Sequence, residues 1–263
     1  MEERQAGTVS ALGKATRLNR ILAGGTRRVL TVAVDHMINY PVKFPPELRR
    51  MASTLEQVIA GEPDAVTMNK GAAMRLMTPY AGRVPLIIQS MALRPDEPDF
   101  ADTATVEETL GLGADAIAVA MFVYGETELA YLRHLAEVVR CAAPLGLPVI
   151  PHIYPLESGD EKHAVVHDPE HVHYAARAGF EMGADLVKVP YTGDVASFRD
   201  IVSDIPVPVV SAGGPRCATL EEAAALARDV GRAGAAGATM GRNVWGLPDI
   251  PGAIRLLRDA INE

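Results

Sequence analysis

Cysteine is scarce in this chain. Cys141 and Cys217 are the only two among 263 residues, so no disulfide framework is implied and the fold must rest on its hydrophobic core. Long apolar runs are lacking too: stretches such as Ala116 to Val123 fall well short of the roughly 20 residues that a membrane-spanning helix needs. The N-terminus, MEERQAGTVSALGK, has no apolar stretch behind a basic start, so no secretory signal is expected and the protein is expected to be cytoplasmic. Positive charge is short as well. Lys and Arg total 25 against 33 Asp and Glu, a net charge of -8, which gives no general attraction to nucleic acid or to an anionic membrane surface. Any anionic ligand therefore needs a local site. What the chain does have is 48% hydrophobic and 22% charged residues, the balance of a globular protein with a sizeable core.

Short apolar, β-branched runs recur along the sequence with helix-like segments between them. They are Val29 to Asp35, Ala65 to Asn69, Pro85 to Met91, Ala116 to Phe122, Pro148 to Tyr154, Asp185 to Pro190, Pro208 to Gly213 and Gly237 to Arg242. Each is apolar almost throughout, as parallel strands buried on both faces are. The intervening segments are long enough for crossover helices. Eight such units predict an α/β fold, a single-domain (β/α)8 TIM barrel, with a doubly wound open sheet as the alternative. Residues 1–28 precede the first strand and are expected to close the bottom of the barrel with a helix from Lys14 to Leu22, leaving 29–263 for the barrel itself. Several strands are announced by Gly-Ala-Asp or an equivalent, at Gly113 to Asp115 and Gly183 to Asp185, where glycine suits a left-handed helix C-cap. The longest irregular stretch, Leu156 to Asp168, falls on the catalytic side of such a barrel and is read as a lid.

A parallel barrel gathers the C-terminal ends of its strands on one face, so the polar residues there are the candidates for chemistry. They are Asp35-His36, Asn69-Lys70, Gln89-Ser90, His152 and Tyr154, Lys188, Ser211 with Gly213-Gly214, and Gly241-Arg242-Asn243. Lys188 sits inside Leu186-Val187-Lys188-Val189, one of only five lysines in the chain. If strand alternation turns it inward it is desolvated, which favours the free amine that attacks a carbonyl and forms a Schiff base. A lysine that reaches solvent at the strand end or pairs with a carboxylate is the competing reading. His152 and Tyr154 share one face of their strand, where the Tyr154 phenol can exchange a proton with a substrate oxygen or simply plug the barrel mouth. Asp35 either relays a proton and orients a hydroxyl or serves as the N-cap of the next segment. Ser211, Gly213 and Gly214, with Gly241 and Arg242, follow the seventh and eighth strands, where barrels build phosphate sites from backbone N–H groups.

Two patterns lead elsewhere. Gly231, Gly234 and Gly237 have the spacing of a nucleotide fingerprint but run from helix to strand, the reverse of the required order. His163, His167, His171 and His173 crowd one segment, yet Asp168-Pro169-Glu170 reads as a helix N-cap with proline in the first turn, which leaves His167 ahead of the helix. No metal site is expected from them.

The stretches LVKVPYTGD, PVPVVSAGGPR and GAAGATMGRNVWG, with GKATRLNRIL and VAVDHM nearer the N-terminus, closely resemble the archaeal-type, DeoC/LacD-like class I aldolase group. This group takes in fructose-bisphosphate aldolases, aminodideoxyheptulosonate synthases and the autoinducer-2 phosphate thiolase, and the likeness covers nearly the whole chain. The resemblance implies a metal-free and cofactor-free barrel in which Lys188 forms the imine with a phosphorylated ketose or keto compound. It further implies that Tyr154 acts as acid/base, that Asp35 assists proton transfer, and that the AGGP and GRN stretches bind phosphate, with His36 and His152 also facing substrate. A donor like dihydroxyacetone phosphate and a homo-oligomeric assembly are expected. The alternative activity within the group is a thiolase-like acyl transfer on a phosphorylated dione with coenzyme A. The sequence departs from the pattern at Met37, where relatives have glycine, at His152, where the fructose-bisphosphate enzymes have tryptophan, and at Leu156-Glu157, where several continue Arg-Gly. These positions line the side of the second carbonyl partner and turn the expectation away from a second phosphate.

Overall fold

In the computed structural model, which describes residues 9–25, 27–39, 45–94, 99–157 and 164–263, eight parallel strands close on themselves. In chain order the elements are α1 (Val9–Ile21), β1 (Val29–Ala33), α2 (Met51–Ala60), β2 (Ala65–Asn69), α3 (Lys70–Leu76), β3 (Leu86–Gln89), β4 (Met91–Leu93), β5 (Phe100–Asp102), α4 (Val106–Gly111) and β6 (Ala116–Val123). They continue with α5 (Glu128–Ala142), β7 (Val149–Pro155), α6 (Pro169–Glu181), β8 (Val187–Pro190), α7 (Val195–Asp204), β9 (Val209–Ala212), α8 (Leu220–Arg232), β10 (Gly237–Met240), α9 (Arg242–Trp245) and α10 (Ile250–Ile261). The barrel runs β1-β2-β3-β6-β7-β8-β9-β10 and back to β1. All eight expected strands are present, and the fold is the (β/α)8 barrel. Among the described residues no helix is long and apolar enough to cross a membrane.

Alternation along the strands separates two cores. The outward-facing residues, Val187 and Val189 among them, pack under the helices in one large apolar cluster. The inward-facing ones form a smaller cluster at the bottom of the barrel: Ala65, Ile87, Ala116, Ala118, Ile150, Leu186 and Val210, plugged from below by Ile21 at the end of α1. The side-chain period of two then fixes what lies one layer higher. Above Leu186 stands Lys188, above Ile150 stand His152 and Tyr154, and above Ile87 stands Gln89, so the apolar floor determines the polar mouth.

The recurrent Gly-Ala-Asp device does more than end helices. Gly113 and Gly183 take the expected left-handed conformation, with φ 70° and 92°. The aspartates then cap the neighbouring strand: Asp115 accepts from the Leu86 N–H at 3.2 Å and Asp185 from the Val149 N–H at 3.0 Å. Asp64 does the same for the Leu30 N–H at 2.7 Å. Each carboxylate also meets a cation. Lys14 lies 2.9 Å from Asp185 and Arg20 lies 3.0 Å from Asp115, both from α1, while Arg27 pairs with Asp64.

Three features differ from the sequence expectation. The first helix starts at Val9 rather than Lys14, because nothing in Val9 to Gly13 interrupts it. Between β3 and β6 lies a small antiparallel pair, β4 with β5, that the apolar pattern does not announce; it is anchored by Phe100 stacking on Tyr131 at 5.0 Å and by His134 lying 3.0 Å from Asp102. The last run ends as a strand at Met240, and Arg242 opens the short helix α9 instead.

Candidate active site

A cavity of about 260 Å³ opens at the C-terminal end of the barrel. Asp35, His36, His152, Tyr154, Lys188, Gly213, Gly214, Gly241 and Arg242 all line it, as do Gln89, Asn39 and His167. Lys188 is inward-facing and 6% exposed, which removes the reading of a lysine that escapes to solvent. It stands level with His152 in the register between β7 and β8. Two residues on, and on the same inner face, Tyr154 reaches the rim, its ring 6.3 Å from that of Phe122.

Asp35 lies just past the end of β1 and caps no helix among the described residues. One carboxylate oxygen lies 3.3 Å from His36 Nδ1 and the other accepts from Gln89 Nε2 at 3.3 Å. Burial alone would raise this carboxyl, but the hydrogen bond and charge of His36, together with the charge of Lys188, hold it well below the usual carboxylate range. It is a carboxylate at any pH at which the protein works. His152 shows the opposite balance. Burial, and then the neighbouring Lys188, push its pKa well below that of an ordinary histidine, against the pull of Asp35, so the ring is neutral. Its Nδ1 lies 3.3 Å from Gln89 Nε2.

The loops after β9 and β10 are locked together. Asn243 donates to the carbonyls of Gly213 at 2.7 Å and Pro215 at 3.0 Å, and its own oxygen accepts from the Cys217 N–H at 2.7 Å. Arg242 donates to the Gly214 carbonyl at 2.9 Å. Glycine is obligatory at 241, since a Cβ there would stand 2.5 Å from His36 Cε1 and 3.0 Å from the Ala33 carbonyl oxygen. His36 in turn packs edge-on against Trp245, whose indole N–H holds that Ala33 carbonyl at 2.9 Å.

One expected site residue is not brought in. Ser211 points to the outer face of β9, between the inward Val210 and Ala212, and its hydroxyl bonds the Ala212 carbonyl at 2.9 Å. It does not line the cavity, because strand parity allows only one of two adjacent residues inside. Conversely, Gln89 is a strand-end candidate in the sequence with no particular role, and Asn243, expected to bind phosphate as part of the GRN stretch, instead ties the two loops together. Their signal is an amide where an apolar run ends. The histidine segment disperses. His167 bonds the Tyr191 carbonyl at 2.7 Å, His171 bonds Asp168 at 2.9 Å and His173 lies 3.5 Å from Asp204, while His163 falls outside the described residues. Of the stretch read as a lid, the described ends pair through Leu156 and Val165, which brings Val165 to the cavity wall.

A buried lysine beside a carboxylate, a neutral imidazole and a phenol at the mouth of a (β/α)8 barrel defines a class of enzyme that works on carbonyl compounds. Comparison with known proteins agrees: residues 29–246 match the DeoC/LacD family aldolase model, and the chain belongs to that family. It is an enzyme of the class I aldolase kind, a carbon–carbon lyase. The chain is 33% identical over 237 residues to the 2-amino-3,7-dideoxy-D-threo-hept-6-ulosonate synthase 1 of Archaeoglobus fulgidus, covering 89% of this chain and 85% of that one. It is 34% identical over 204 residues to the class 1 fructose-bisphosphate aldolase of Thermoproteus tenax, covering 75% of this chain and 74% of that one. Among solved structures, an archaeal fructose-1,6-bisphosphate aldolase with its catalytic lysine covalently bound to the carbinolamine intermediate superimposes with a TM-score of 0.84 at 30% identity, covering 95% of this chain and 99% of that one.

Proposed function

We propose that this enzyme makes or cleaves a C–C bond in a phosphorylated ketose or keto compound through an imine on Lys188, with a donor fragment like dihydroxyacetone phosphate. The observation that carries this is the position of Lys188, turned into the cavity one layer above the apolar floor, with Asp35 and Tyr154 lining the same cavity. The Lys188 amine adds to the substrate carbonyl, and the carbinolamine loses water to give the imine. As the neighbouring C–C bond breaks, its electron pair flows into the protonated imine and leaves an enamine. Tyr154 takes the proton from the hydroxyl on the departing carbon, which leaves as the aldehyde. Protonation of the enamine and hydrolysis return the lysine. Asp35, held as a carboxylate by its surroundings, accepts a hydrogen bond from a substrate hydroxyl and orients it.

The phosphate of the substrate is assigned to the loops at Gly213, Gly214 and Gly241 with Arg242, where glycine lets an anion approach the backbone closely and the guanidinium supplies a charge-assisted donor. Turnover of a panel of ketose phosphates, followed by product NMR with and without coenzyme A, tests the assignment. Aldol cleavage or condensation independent of coenzyme A is the expected result. Acyl transfer that requires coenzyme A would replace it with the thiolase-like reaction.

A further inference from the structure

Gln89 is buried, 2% exposed, and the catalytic scheme makes no use of it. Its amide nitrogen nevertheless faces two groups of the site. The Met91 N–H donates to Gln89 Oε1 at 3.3 Å, which turns Nε2 the other way. Nε2 then donates to Asp35 Oδ2 and faces His152 Nδ1, each at 3.3 Å. An amide nitrogen can only donate, so the His152 nitrogen that faces it must be the one without a proton. The ring hydrogen is thereby assigned to Nε2 of a histidine that lines the cavity. The titratable groups around the imidazole are Lys188 on β8, level with it in register, and Asp35 and His36 beyond β1.

We propose that Gln89 is a positioning residue that fixes His152 as the neutral Nε2–H tautomer, so that the ring offers substrate a hydrogen-bond donor and carries no charge of its own beside Lys188. Two consequences distinguish this from a passive buried amide. A protonated His152 would turn an Nδ1–H against the Gln89 NH₂, donor against donor, so Gln89 opposes charging of the ring. Gln89 also links His152 to the Asp35 carboxylate, making the donor's direction depend on the group that orients the substrate hydroxyl. Tautomer control of this kind is a recurrent reason for a fixed partner on the second ring nitrogen of a functional histidine. The inference rests on the imine reading for its effect on rate, whereas the tautomer itself is a property of the free enzyme.

The test is long-range ¹H–¹⁵N NMR of the ring nitrogens in the free protein, with the His152 signals identified by their loss in His152→Gln. In the wild type they should show Nε2 protonated and Nδ1 bare from pH 5 to 9. In Gln89→Glu the partner becomes an acceptor, so the proton should move to Nδ1 or the ring should become charged near neutral pH. Gln89→Leu should give a mixture of tautomers and serves if Gln89→Glu fails to fold. Borohydride trapping at Lys188 should slow about tenfold in either variant, the equivalent of one buried hydrogen bond, and should gain a pH dependence below neutrality that the wild type lacks. An unchanged Nε2–H signature in a folded variant overturns the proposal. Lack of any trapping in the wild type, with the tautomer as stated, sinks the imine reading and leaves the tautomer assignment supported.

Discussion

The two ends of this barrel treat charge in opposite ways. At the floor, Asp64, Asp115 and Asp185 each receive a strand N–H and a cation from the N-terminal segment. At the mouth, Asp35 shares its oxygens between His36 and Gln89, and Lys188 and a neutral His152 border an open cavity. The floor uses charge to close the structure. The mouth keeps charge poised against burial, which is how perturbed groups come to mark functional sites. One side-chain alternation generates both, since the strands that place Leu186 and Ile150 at the bottom place Lys188 and His152 above them.

Substitutions at the two ends should therefore separate activity from stability. Lys188→Ala should lower turnover by about 10⁴-fold or more. Thermal unfolding of that variant should occur at or above the wild-type temperature, because it removes a buried amine from an apolar strand. A variant that unfolds early would show Lys188 to be structural. Tyr154→Phe should slow the proton-transfer step by about 10²- to 10⁴-fold while still allowing imine trapping; an unchanged rate would move that role to another residue of the cavity. At the floor, Ile21→Ala should cost about 2–5 kcal/mol by leaving a cavity beneath the barrel, with kcat/KM of the folded enzyme unaltered. A loss of kcat/KM at full stability would abolish the contrast between the ends.

The smallest expected effect is on acid stability. The folded pKa of His152 lies below the ordinary value, so the unfolded chain takes up this proton first. The stabilisation is complete above about pH 6.5 and declines as pH falls below it. Asp35 acts in the same direction in a lower window, beginning near pH 4, where the unfolded carboxylate protonates while the folded one stays charged. Unfolding midpoints measured from pH 8 to 5 should thus fall less for His152→Gln than for the wild type. Equal slopes would mean that the folded ring takes up its proton at the same pH as the unfolded chain.

The barrel is legible in the sequence because strands buried on both faces leave uninterrupted apolar runs, and eight of these survive composition noise. The pair β4 and β5 is not, since three-residue strands carry too little pattern. At the site, Lys188, Tyr154 and Asp35 stand out as polar residues in apolar company. Ser211 stands out for the same reason and yet faces outward, because parity is set by the neighbours in the barrel interior rather than by the run itself. Gln89 and Asn243 are visible as polar strand-end residues, but what they do is not legible, for a different cause. Their work is to hold other residues, and the partners they hold, Asp35 and His152 in one case and the Gly213 to Cys217 loop in the other, are far away in sequence.

The central claim is that Lys188 is the nucleophile of the cavity. Incubation with dihydroxyacetone phosphate, reduction with borohydride and peptide mass spectrometry test it directly. The account predicts a reduced adduct on the peptide that carries Lys188, absent from Lys188→Ala. An adduct at a different lysine, or none with any phosphorylated ketone or dione tried, would contradict it.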